Sequence, residues 1–166
     1  MKKLLIIFLL IISNINPTFA DNTQLKFENM SVINFSNFYK KPIGPLGLEI
    51  DPEILKLNNK YVQLSGFMEQ RETDPIGSFM LTPRPIQSAE EADGDANDLP
   101  PSATLVVLDQ SQKDMIIPHR EGIVTVQGIF KIGRFVKEDG SVNWFRIELA
   151  PNAIQVSDIK PLTHKH

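Results

Sequence analysis

The segments Tyr61-Val-Gln-Leu-Ser-Gly-Phe67 and Ile123-Val-Thr-Val-Gln-Gly-Ile129 follow one pattern. Apolar and polar residues alternate, and a glycine stands at the sixth place, where an inward side chain is due. Alternation of period two is the mark of a half-buried strand. Glycine inside such a strand marks a bend, a bulge or the close approach of another backbone. Two long strands interrupted in the same way predict a sheet that must curve onto itself. This feature restricts the fold more than any compositional one.

The rest of the chain supplies the other strands. Gly77–Thr82, Ala103–Leu108 and Ser141–Leu149 are rich in β-branched or aromatic residues and are bounded by turn formers. With Tyr61–Gln70 and Gly122–Gly133 they make five. Helical signals are few. Asp51-Pro52-Glu53 offers a cap, a first-turn proline and an acidic group at the positive end. A further turn or two is expected within Gln110–Met115. Five strands, one or two short helices and two glycine-interrupted long strands predict a mainly β chain, a small five-stranded OB-like Greek-key barrel. The alternative is a small β-sandwich, which in its immunoglobulin form wants about seven strands.

Asp139-Gly140 is a hairpin signal, because this pair readily takes the positive φ angles of a type I′ turn. A turn there sets Phe135 opposite Trp144, Ile132 opposite Ile147, Phe130 opposite Leu149 and Lys131 opposite Glu148. Phe130, Ile132, Phe145, Ile147 and Leu149 then share the core face, while Phe135 and Trp144 share the outer one.

The chain opens MKKLLIIFLLII, with Lys2 and Lys3 ahead of an apolar run from Leu4 to Ile12. A run this short does not reach the roughly 20 residues needed to cross a bilayer. It fits a secretory signal peptide with cleavage after Ala20. Removing the first 20 of 166 residues leaves 146, and the loss of Lys2 and Lys3 takes the formal charge from −3 to −5. The expected organisation is a signal peptide at 1–20, an irregular lead-in at 21–50, a barrel domain at 51–160 and a flexible tail at 161–166. Within the lead-in, Phe35, Phe38 and Tyr39 have the spacing of one helical turn packed on the domain. The expected compartment is the periplasm, with no stable membrane insertion after cleavage.

A modestly acidic chain lacks the broad cationic surface that nucleic acid or anionic lipid attracts, so nucleic acid is not expected as a partner. The absence of cysteine excludes a disulfide framework, a thiol nucleophile and a zinc–thiolate site. No G-x-S-x-G elbow, H-E-x-x-H helix or phosphate-binding glycine loop is present, and Asp74 and Asp114 stand apart in loops. His119 reads as a surface loop residue, and His164 and His166 belong to the tail. Neither catalysis nor a cofactor is expected.

Two features remain as candidate sites. Phe135 and Trp144 form an outer aromatic pair, to be either covered by Phe35, Phe38 and Tyr39 or left open as a contact surface. The acidic segment 88–98 carries Asp93, Asp95, Asn97 and Asp98, hard oxygen donors suited to a divalent cation such as calcium. The first three match alternate positions of an EF-hand loop. The match then fails, with Asp98 where glycine is required and Thr104 where the bidentate glutamate belongs. A solvated polar loop is the better explanation of the segment.

From about Phe38 to Pro151 the chain resembles an uncharacterised family of exported bacterial proteins, known as a domain of unknown function with an OB-like barrel. The resemblance rests on Phe38-Tyr39, Gly44-Pro45-x-Gly47-Leu48-Glu49, the block from Leu57-Asn58 to Gly66-Phe67, and Phe79-Met80-Leu81-Thr82-Pro83-Arg84-Pro85. It continues through Asp98-Leu99-Pro100-Pro101 and Val124-x-Val126-x-Gly128. Broader relatives carry a cysteine and a histidine before the proline run. This chain keeps the prolines without the cysteine, so no thiol or metal role carries over. The resemblance implies at most an accessory role beside envelope transport systems. The residues and the resemblance together predict a periplasmic, non-catalytic module that binds an envelope protein or a small ligand. A divalent-cation-binding protein using the acidic segment is the alternative.

Overall fold

The computed structural model describes residues 30–88, 99–136 and 140–153. These residues form β1 (Ser31–Ile33), β2 (Tyr61–Met68), β3 (Ser78–Thr82), β4 (Thr104–Val107), β5 (Ile123–Val136) and β6 (Val142–Leu149). One short helix, α1 (Pro52–Leu55), and two single 3-10 turns at Phe35–Asn37 and Gln110–Gln112 complete the set. The five expected strands are all present, and the chain is mainly β.

The two glycine-interrupted segments are each other's partners. β2 and β5 run antiparallel in unbroken register, from Tyr61 opposite Ile129 to Phe67 opposite Ile123. Gly66 lies opposite Val124, and Gly128 lies opposite Val62. Each strand's missing side chain therefore faces a β-branched one across the seam. The glycines also mark where each long strand changes neighbours. Gly128 belongs to two ladders, pairing with Val62 of β2 and with Leu149 of β6. The other edge of β2 is taken by β1 as far as Leu64 and by β3 from Phe67, with Gly66 between. A Cβ on Gly66 would stand 2.6 Å from both the Phe35 ring and the Thr82 carbonyl oxygen. One on Gly128 would meet the Glu148 carbonyl oxygen, with Ile147 Cγ2 at 2.8 Å. Any larger residue would push apart strands that must touch.

Around the barrel the order is β2, β3, β4, β6, β5 and back to β2. β4 and β6 run parallel, and the other neighbours in this ring are antiparallel. This is the Greek-key connectivity of an OB barrel. The ring is weakest between β2 and β3, joined at Phe67–Thr82 and Met68–Leu81, and there β1 covers the exposed length of β2. Covering an edge in this way removes a row of unpaired backbone groups from solvent.

The described part of the segment expected to be an irregular lead-in, residues 30–50, is a structural part of the barrel. It contributes β1, and its 3-10 turn drives Phe35 and Phe38 into the core. Asn34 caps that turn by accepting from the Ser36 N–H at 2.9 Å. Phe38 is fully buried, 4.6 Å from the Phe145 ring and 5.8 Å from Phe130, and Phe130 stacks parallel to Phe145 at 5.9 Å. Burial of each such ring stabilises by about 1.5–3 kcal/mol. Tyr39 meets Phe145 edge-on and donates its hydroxyl to the Pro101 carbonyl at 2.8 Å. Burial pushes its phenol pKa up.

The local signals after residue 50 hold. Asp51 Oδ1 accepts from the Glu53 N–H at 2.8 Å and starts α1. Asn58 and Asn59 end the following turn, with Asn59 at φ 64°. Both then clasp β5: Asn59 N–H donates to the Phe130 carbonyl at 2.7 Å, and Asn58 Oδ1 accepts from the Ile132 N–H at 2.9 Å.

Candidate binding surface

Strand alternation places Trp144. Asn143, Phe145, Ile147 and Leu149 of β6 are buried, and the intervening Trp144, Arg146 and Glu148 point the other way. Trp144 is 47% exposed, a high value for the largest side chain in the chain. Among the described residues, Phe35 packs on Phe38, and Phe38 and Tyr39 pack on the inward Phe130 and Phe145, which leaves this outer face open.

The expected pairing of Phe135 with Trp144 is not what forms. Phe130 lies opposite Ile147, Lys131 opposite Arg146 and Ile132 opposite Phe145, two residues from the register that a tight turn at Asp139-Gly140 dictates. A shift of two keeps each residue on its face, which is why the expected core residues are still the core. The register then slips again between Ile132 and Phe135, and Phe135 faces Asn143. The loop end is wider than a two-residue turn, since the ladder closes at Val136 and Val142, and Gly140 within it has φ 81°. Phe135 is half-buried, and the Arg146 guanidinium sits over its ring at 4.5 Å. The two aromatics thus belong to one end of the β5–β6 ribbon without being cross-strand partners.

Charge is arranged around this pair. Arg146 Nη1 lies 3.7 Å from Glu148 Oε1, and Lys131 Nζ lies 3.9 Å from Glu148 Oε2. Lys131 also donates to Asn59 Oδ1 at 2.8 Å. Arg146 is therefore held between an aromatic face and a carboxylate, with its rotamers restricted before any partner arrives. Beneath, Asn143 is 8% exposed, and its Oδ1 has no hydrogen-bond donor among the described residues. Buried acceptors are nearly always satisfied. Arg146 and Asn143 were not singled out in the sequence. The signal for Arg146 was present, since an arginine two residues from an outward tryptophan in a strand shares its face.

Asp93, Asp95, Asn97 and Asp98 lie outside the described residues, but the stem that leads to them is described. Ser88 N–H donates to the Gln70 carbonyl at 2.9 Å, and Ser88 Oγ donates to Glu69 Oε1 at 2.6 Å. Glu69 is 5% exposed, with Arg71 Nη1 4.0 Å from its Oε2. On the return side, Leu99 packs on a second apolar cluster of Met80, Ala103 and Leu105. Both ends of the acidic connection are thus anchored on the barrel.

The histidine and loop carboxylates separate less than expected. His119 donates its backbone N–H to Asp74 Oδ1 at 3.3 Å. Among the described residues no three His, Asp or Glu side chains converge in a metal-ligating group. No helix among them is long and apolar enough to cross a membrane.

No family model matches the chain, and no curated protein matches it either. Among solved structures, the chain is similar to the crystal structure of a DUF3299 family protein from Pseudomonas aeruginosa PAO1. The identity is 11% and the TM-score 0.44, over 70% of this chain and 90% of that one.

Proposed function

We propose that the protein is an exported, non-catalytic binding module that engages an envelope protein through the outer end of β5–β6. Trp144 carries this reading: a half-exposed tryptophan beside an arginine already fixed over Phe135. Tryptophan and arginine are the side chains most enriched where interfaces concentrate their binding energy. Fixing Arg146 in advance lowers the entropy lost when a partner docks. The neighbouring Glu148 and Lys131 supply a polar rim, the usual surround of such a centre.

Trp144 is the only tryptophan in the chain, so its fluorescence reports this surface alone. A partner that docks here shifts its emission to the blue. Trp144→Ala lowers affinity for that partner by at least tenfold, about 1.4 kcal/mol or more. The melting temperature stays within about 2 °C, because the ring is not part of the core. A captured partner that leaves the emission unchanged, and binds the variant equally well, removes the assignment.

A further inference from the structure

Residues 38–51 form a small hairpin that stands on the core and carries an uncharged apex. Its base is ordered by Lys40 N–H to the Glu49 carbonyl at 2.9 Å, Asp51 N–H to the Phe38 carbonyl at 3.0 Å, and the Tyr39–Ile50 bridge. Phe38 fixes the base in the interior, and Tyr39 and Ile50 pack against the same cluster. The apex Pro42-Ile43-Gly44-Pro45-Leu46-Gly47-Leu48 carries no charge. Leu46 is 86% exposed, Ile43 64% and Leu48 47%. Three large aliphatic side chains on one ordered turn are not the scattered exposure normal on a soluble surface.

From this we infer that the hairpin apex dips into the interfacial layer of a phospholipid membrane. Three observations favour lipid over a protein groove. The apex is convex and purely aliphatic, without the aromatic or arginine side chains that anchor protein interfaces. Part of its backbone needs no water: Pro42 and Pro45 have no N–H, and the Gly47 N–H donates to the Gly44 carbonyl at 3.1 Å. An unpaired backbone group is what hydrocarbon penalises most. The collar is charged where head groups would lie. Lys40 Nζ pairs with Glu49 at 2.6 Å, while Lys41 is exposed and has no partner among the described residues. An ammonium on a flexible stem at that level suits lipid phosphates. Three side chains provide a shallow, reversible contact and not a span. The contact is separate from the Trp144 surface, so either can fail alone.

The chain has no cysteine, so Leu46→Cys gives one labelling position for a polarity-sensitive fluorophore, and Lys113→Cys gives a control. The test uses the protein as it accumulates in the expressing cell, with its N-terminus read by mass spectrometry. Equimolar phosphatidylethanolamine–phosphatidylglycerol vesicles should shift the probe at 46 to the blue and leave the probe at 113 unchanged. Leu46→Asp, with an unaltered melting curve, should weaken vesicle binding by about tenfold, the effect of withdrawing one aliphatic side chain from an apolar phase. A probe at 46 that stays in water at saturating vesicles overturns the inference. So does one that moves to the blue only on adding lipid-free envelope proteins, which assigns the apex to a protein partner.

Discussion

The β2–β5 seam and the outer end of the β5–β6 ribbon are built from the same long strand, yet they behave differently. Along the seam every pair from Tyr61–Ile129 to Phe67–Ile123 is in register. Toward its end, β5 slips against β6 between Ile132 and Phe135. The seam turns one face to the core, with Val62, Leu64, Gly66, Val126 and Gly128 buried and Val124 partly so. A slip of one residue there would turn every one of those positions outward. Past Ile132 the strand has left the core, Phe135 is half-buried, and no such penalty enforces alignment. The contrast teaches where a binding surface can evolve on a small barrel: at the ribbon's outer end, where register is no longer needed for stability.

Substitutions in adjacent positions can break this contrast. Phe145 and Trp144 are neighbours on β6 with opposite orientations. Phe145→Ala should cost about 3–5 kcal/mol in denaturant unfolding, since it empties the centre of the Phe38–Phe130–Phe145 cluster. Equal losses at 144 and 145 would show that the outer end is as much core as the seam. The glycines of β5 offer a second comparison. Gly128→Ala should destabilise by about 1–3 kcal/mol, because its Cβ collides with the β6 backbone. At Gly133 a Cβ would meet only the Phe135 ring edge, at 3.7 Å, so Gly133→Ala should stay within about 0.5 kcal/mol. A large loss at 133 would mean that the irregular stretch is itself under constraint. A further comparison is at Arg146. Its replacement by methionine keeps most of the stem and removes the cation over Phe135, for about 0.5–1 kcal/mol of stability. It should still weaken partner binding, and an unchanged affinity would reduce the site to Trp144 alone.

Much of the barrel was legible because its signals are local. The period-two alternation located β2 and β5, Asp51-Pro52-Glu53 announced α1, and the apolar–polar face of β6 named Phe145, Ile147 and Leu149 as core. β1 was missed for a physical reason: three residues make too short a run for alternation to show, and the strand exists because β2 offers it a free edge. The Phe135–Trp144 pairing was misplaced because it was propagated from a presumed two-residue turn, and register errors grow with distance from the anchor. Asn58 acquired its role from Ile132, 74 residues away in the chain, which no local window contains.

The sequence by itself determined that two strands carry a glycine in the same inward place, that the chain is mainly β, and that Trp144 points away from Phe145. Only the tertiary structure decided that those two strands face each other, with each glycine opposite the other's valine. It also put Phe35 and Phe38 of the lead-in into the core and raised Ile43, Leu46 and Leu48 on a hairpin above it. The reason is one of range. Periodicity and turn chemistry are set by neighbours within a few residues, and so are written in order along the chain. Pairing and exposure depend on which distant surfaces are left uncovered once the core has closed.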